Sequence, residues 1–206
     1  MDLIQTLGVA LGASWTAGIN LYATVAMLGL LQHFKLAELP GGLHVLDNWI
    51  IISIALFLYT IEFVADKVPY VDTIWDAVHT FVRVPAGAIL ALAATTNLHP
   101  TVQIVALLLG GGLALTTHGT KATARATANL SPEPVTNWTL SIVEDVLAIG
   151  AIALAAIHPA AILVVIAIFL LIFLWIAPKV VRRVRRMTAT VRAFLNGQSV
   201  AEASYK

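Results

Sequence analysis

The chain has 206 residues, of which 59% are hydrophobic and 11% charged, well above the roughly 45–50% apolar share of soluble domains. That composition excludes an ordinary soluble domain; the net charge is +1, and no nucleic-acid partner is expected. Cysteine is absent, so disulfides, thiolate metal ligands and thiol nucleophiles are ruled out.

About 20 apolar residues cross a bilayer, and six segments meet or approach that length, near residues 6–31, 48–67, 73–97, 101–127, 137–157 and 159–180. The expected fold is therefore an all-α polytopic membrane protein of about six transmembrane helices. Met1 to Leu11 has no basic n-region and no small-residue cleavage site, so the first run is expected to be retained as a spanning helix. It carries Thr16, Asn20 and Thr24 at i, i+4 and i+8. Close helix packing accounts for Thr16, Gly18 and Thr24; Asn20 and Tyr22 are larger polar groups and are candidates to line a site. The second run ends with Tyr59, Glu62 and Asp66 at i, i+3 and i+7.

The third and fourth segments reach spanning length only if their polar residues belong to the helix. Asp72, Asp76, His79 and Arg83 fall at i, i+4, i+7 and i+11, and His118, Lys121, Arg125 and Asn129 at i, i+3, i+7 and i+11. Each set occupies one helical face. A charge in hydrocarbon is retained only where it meets a partner, water or a ligand, so both stripes are expected to face inward. The fifth segment opens with Asn137, Ser141 and Glu144 on one face and Asp145 beside it, with Asn137 or Thr136 as the expected N-cap. Turn chemistry separates the segments at Pro40-Gly41-Gly42, Lys67-Val68-Pro69, Asn97-Leu98-His99-Pro100, Ser131-Pro132-Glu133-Pro134 and His158-Pro159.

After the last run come Lys179, Arg182, Arg183, Arg185, Arg186 and Arg192. The positive-inside rule makes that end cytoplasmic. Six crossings then place both termini in the cytoplasm of a multi-pass inner-membrane protein, with Lys67, Arg83, Lys121 and Arg125 at cytoplasmic ends. Residues 182–206 form a basic amphipathic tail on the leaflet, with 196–206 expected to be disordered, and residues 1–181 form the bundle.

Thr16 to Thr24 can be laid on Thr117 to Arg125, and Thr60-Ile61-Glu62 echoes Ser141-Ile142-Val143-Glu144. Repeats of residues 1–98 and 99–181 would hold three crossings each. An odd number of crossings reverses direction, so they would be inverted, an architecture of many secondary transporters.

The cytoplasmic half would hold Glu62, Asp66, Asp72, Asp76, Glu144 and Asp145 against Lys67, Arg83, Lys121 and Arg125. Six acids facing four bases call for two further positive charges: protonated His79 and His118, protonated carboxyls, or one divalent cation. The candidate substrate- and ion-binding residues are Asn20, Tyr22, Glu62, Asp76, His79, Arg83, His118, Lys121, Arg125, Ser141, Glu144 and Asp145. A divalent cation would draw on Asp66, Asp72, Asp76 and His79. The expected function is a small transporter or translocase, proton- or cation-linked, whose partner beside the bilayer is a small ion, an anionic solute or a lipid phosphate; a homo-oligomer is open. The alternatives are a metal-dependent enzyme acting on a lipid phosphate and a structural accessory subunit. No Walker loop, His-Glu-x-x-His or Gly-x-Ser-x-Gly is present, which weighs against an enzyme.

Ala17-Gly18-Ile19-Asn20-Leu21-Tyr22, Glu62 through Asp66-Lys67 to Asp72, Asp76 and His79, and His118 to Lys121 with Ser131-Pro132-Glu133-Pro134 and Glu144-Asp145 resemble a bacterial integral-membrane family described as domain of unknown function 4126. The resemblance covers most of the chain up to the basic tail. It implies a compact multi-span fold and nothing about substrate.

Overall fold

The computed structural model describes residues 2–68, 70–129 and 134–195. The expected turn at Ser131-Pro132-Glu133 and the end expected to be disordered, 196–206, lie outside the described residues. Among the described residues there are seven α-helices, one 3₁₀ helix (Gly41–Leu46) and no strand: α1 (Leu3–Ile19), α2 (Leu21–His33), α3 (Trp49–Ala65), α4 (Val71–Ala94), α5 (Pro100–Ala128), α6 (Pro134–Ile157) and α7 (Pro159–Leu195). Four of them, α4 to α7, are long and apolar enough to cross a membrane; α1, α2 and α3 are apolar but shorter. Sequences as rich in β-branched residues as that of α3 are helical here because hydrocarbon offers a backbone no hydrogen-bond partner but itself.

The first apolar run is expected as one helix and is two. Asn20 has φ −148° and ψ 103°, an extended conformation that ends α1 and serves as N-cap of α2, its side-chain oxygen accepting from the Ala23 N–H at 2.9 Å. The asparagine amide replaces a backbone partner that the broken ladder no longer supplies. The Asp2 carboxylate and Gln5 form a capping box at the start of α1, and Asn48 caps α3. Pro100 follows the N-cap His99 on α5, where its missing N–H costs nothing. The fifth apolar segment begins earlier than expected, at Pro134, so Asn137 lies inside α6 and does not cap it.

The chain forms two compact units, divided between Ile166 and Ala167 within α7. In the first, α1 packs on α4, α5 and α6, and α2 packs on α3 and α6. Small residues permit these approaches. A Cβ on Gly18 would come within 1.8 Å of Thr117 Oγ1 and 2.5 Å of the Ala114 carbonyl oxygen, so only glycine lets α1 lie against α5 beside the break. Ser14 Oγ donates to the Gly87 carbonyl at 2.8 Å, joining α1 to α4. In the second unit, the Lys179 ammonium lies over the Trp175 ring, 3.0 Å from its centroid.

The helix α4 is turned inside out relative to a helix of a soluble protein. Asp72, Asp76, His79 and Arg83 are buried, while Ile74, Val78 and Phe81, the last 84% accessible, face outward. Outward apolar and inward charged faces are stable only where the surroundings are lipid, consistent with a multi-pass membrane protein.

Candidate functional site

The polar faces of six helices meet at one end of the bundle, around the break between α1 and α2. The C-terminal end of α3 contributes Glu62, with Asp66 directly after it; the N-terminal half of α4 contributes Asp72, Asp76, His79 and Arg83. The C-terminal half of α5 contributes His118, Lys121 and Arg125, and the start of α6 contributes Ser141, Glu144 and Asp145. The two stripes therefore face inward as their spacing requires.

Lys121 is at the centre. Its Nζ lies 3.0 Å from Asp66 Oδ2, 3.5 Å from Glu62 Oε1, 3.5 Å from Glu144 Oε2 and 3.8 Å from Asp76 Oδ1. It also donates at 3.1 Å to the backbone carbonyl of Ile19. That carbonyl is the last of α1, one of the acceptors left over where a helix stops, so the break at Asn20 supplies an oxygen to the ammonium. Arg83 reaches Glu62 Oε1 at 2.5 Å and Asp76 Oδ1 at 3.2 Å. Arg125 pairs with Glu144, with Asp66 Oδ2 at 3.0 Å and with Asp72 Oδ2 at 3.5 Å, and donates to the Asp66 carbonyl at 2.7 Å. Asp72 Oδ1 accepts from the Asn129 amide at 2.8 Å, and Asn129 Oδ1 from the Asn137 amide at 3.0 Å.

The histidines are assigned by what their partners can do. Arg83 NH1 lies 2.9 Å from His118 Nδ1. A guanidinium only donates, so Nδ1 holds a lone pair and the proton sits on Nε2, which donates to the Asp76 carbonyl at 3.0 Å and lies 2.8 Å from Thr80 Oγ1. His118 is thus neutral in this arrangement and supplies none of the missing positive charge. His79 donates from Nδ1 to the Trp75 carbonyl at 2.8 Å, leaving Nε2 facing the Tyr22 hydroxyl at 3.1 Å; its ring stacks on Trp75 with centroids 4.2 Å apart.

Ser141 Oγ accepts from Lys67 Nζ at 3.2 Å, and that ammonium also lies over the Phe63 ring, 2.9 Å from its centroid. Asn20 Nδ2 donates to Asp145 Oδ1 at 3.1 Å. Of the twelve side chains expected to bind substrate or ion, Glu62, Asp76, Arg83, His118, Lys121, Arg125 and Glu144 are joined in one network, and Tyr22 with His79, Ser141 with Lys67, and Asn20 with Asp145 form separate pairs. Thr16 and Thr24 bond back to their own backbones, at 2.9 Å to Gly12 O and 2.8 Å to Asn20 O, as packing residues do. The cation set Asp66, Asp72, Asp76 and His79 is not gathered: among the described residues no three His, Asp or Glu side chains converge as a metal site, since the carboxylates turn to Lys121, Arg83 and Arg125 and His79 turns to Tyr22. Sequence reasoning missed Thr80 and the Ile19 carbonyl. Thr80 follows His79 directly, and its signal was its place one helical turn after Asp76; the carbonyl had none.

Several buried oxygens in or beside the network have no protein hydrogen-bond partner: Glu62 Oε2, Asp66 Oδ1, Asp76 Oδ2 and Asp145 Oδ2, with Arg83 Nε also unpartnered. Unpaired carboxylate oxygens in a low-dielectric interior favour uptake of positive charge. At the opposite end of the bundle a cavity of about 370 Å³ lies among Thr6, Glu38, Pro40, His44, Asn97 and Leu98, away from the network.

Fold and site together define a membrane-like all-α protein with an ionisable network buried around the break between two helices. Residues 7–179 match the family described as Domain of unknown function (DUF4126), and the chain belongs to that family. No curated protein and no solved structure matches the chain.

Proposed function

We propose that the protein is a small membrane transporter or translocase whose buried site exchanges protons or another cation, coupled to movement of an anionic solute or lipid phosphate. The observation that carries this reading is the break between α1 and α2 at Asn20. Asn20 and the Ile19 carbonyl at the break meet Asp145 and Lys121, the charged groups of the opposite helices. Discontinuous helices that offer their ends to a buried ionic site are a recurring device of secondary transporters. In this reading α1 and α2 form a helical hairpin whose tip, the break at Asn20, reaches the site: Thr6 near the start of α1 and Glu38 and Pro40 just beyond α2 line one cavity at the opposite end, so the pair does not make the single crossing expected from the sequence. Lys121 stands at 3.5 Å from both Glu62 and Glu144. The site faces the cytoplasm in this reading, and the start of α1, with Thr6 at the opposite end, lies away from it. An anionic substrate would enter by exchanging with a carboxylate on Lys121 or Arg125.

Flux in proteoliposomes carrying a trapped pH-sensitive dye tests this directly. Wild type should dissipate an imposed proton gradient faster than protein-free vesicles, and Glu62→Gln, Glu144→Gln and Lys121→Ala should each slow it at least tenfold. Flux equal to that of protein-free vesicles, or unchanged in all three variants, removes the reading. One observation favours a second reading, a structural accessory subunit: Arg83, Lys121 and Arg125 are each already paired with carboxylates, as in a closed network.

A further inference from the structure

Six carboxylates lie in or beside the buried network, and five of them meet a cationic side chain directly: Glu62, Asp76, Asp66, Asp72 and Glu144. Among the described residues Asp145 makes no such pair. Its Oδ1 accepts one neutral amide proton, from Asn20, and its buried Oδ2 has no protein partner. The groups that face it are Asn20 at the break, the neutral Tyr59 hydroxyl from α3, Asp66 and Lys67 beyond the end of α3, and Lys121 from α5. Lys121 is engaged by the Ile19 carbonyl and Asp66, and Lys67 by Ser141 and the Phe63 carbonyl.

We propose that Asp145 is a proton-binding site, and that Asn20 transmits its charge state to the break between α1 and α2. The network has more acids than bases, and the tautomer of His118 removes that imidazole as a source of charge. The carboxyl least supported by cations is the one that carries the proton. Protonation forms an O–H bond at Oδ2 with a proton taken from water, leaves Oδ1 as the acceptor for Asn20, and cancels one negative charge; deprotonation returns the proton to water. The same Asn20 side chain caps α2 through Ala23. A charged acceptor holds an amide more tightly than a neutral one, so ionised Asp145 draws Asn20 toward α6 and protonated Asp145 loosens it.

This inference deepens the proposed function by naming the ion and the residue that holds it, and it rests on that reading only in placing the network within a membrane. The test is pH-difference infrared spectroscopy of the full chain in lipid nanodiscs, with neither substrate nor gradient, in sodium and in potassium buffers. Wild type should show the C=O stretch of a protonated carboxyl that shifts in D₂O and disappears as pH rises. The band should be lost in Asp145→Asn and kept in Glu38→Gln, an exposed acid at the other end of the bundle. Asparagine matches a protonated aspartate in shape and charge; should that variant fail to fold, Asp145→Glu should retain the band with its midpoint displaced. A band unchanged in Asp145→Asn, a band in Asp145→Glu with an unmoved midpoint, no band at any pH where the protein is folded, or a signal that follows sodium or potassium and not pH overturns the proposal. A normal band with no proteoliposome flux would sink the transport reading alone.

Discussion

Replacing Lys121 by methionine keeps most of the side-chain volume and removes one charge. Five oxygens lie between 3.0 and 3.8 Å from its Nζ, four of them on carboxylates. Removing one partner from a buried ion pair costs about 3–5 kcal/mol, because the remaining charge is left uncompensated. The volume-conserving change adds little on its own, less than ~1.5 kcal/mol, so nearly all of the loss is electrostatic. The variant can recover by binding one more proton in the folded state than wild type does. The sign follows from linkage: where the folded variant holds a proton that the unfolded chain has released, stability rises as pH falls, by about 1.4 kcal/mol per unit. Equilibrium unfolding by SDS titration in mixed micelles, between about pH 5 and 8, should therefore show a Lys121→Met penalty that is largest at the alkaline end and shrinks steadily toward the acid end. Adding Asp66→Asn, which removes the nearest carboxylate charge, should restore at least half of the alkaline loss. A penalty below ~1 kcal/mol, or one of constant size over that range, would show that Lys121 is not the centre of an acid-rich buried network.

Gly18→Ala should destabilise the fold by about 1–3 kcal/mol by overpacking, since its Cβ would meet Thr117 Oγ1 and the Ala114 carbonyl, whereas Gly119→Ala, with nothing within 4 Å of the new methyl, should be neutral or stabilising; equal effects in thermal unfolding would refute the close approach of α1 to α5. Phe81, on the outward face of α4, should tolerate alanine within ~0.5 kcal/mol and oppose arginine by about 2.5–3.5 kcal/mol in a membrane-insertion assay. An arginine accepted there at no cost would place that face in water.

The candidate site was legible in proportion to how local its signals are. The stripes Asp72 to Arg83 and His118 to Asn129 were readable because helical periodicity alone decides which residues share a face, and the cost of charge in hydrocarbon decides that the face turns inward. The resemblance carried by Ala17 to Tyr22 and Glu62 to His79 placed the family correctly and implied nothing about substrate.

What composition and spacing determined is thus an apolar helical chain with its charges gathered at the ends of several helices. Tertiary contact decided the rest. The apolar run across Asn20 contains no proline, and an asparagine within a helix and an asparagine capping a new one look alike in sequence; the difference lies in Ala23, Asp145 and Lys121, the last two over a hundred residues away. Which acid meets which base was equally hidden, because Glu62, Asp66, Asp76 and Glu144 all compete for the same ammonium and their distances depend on how α3, α4, α5 and α6 pack. Asp145 stands next to Glu144 in the chain yet meets no cation directly, because adjacent residues of a helix point about 100° apart, toward different neighbours.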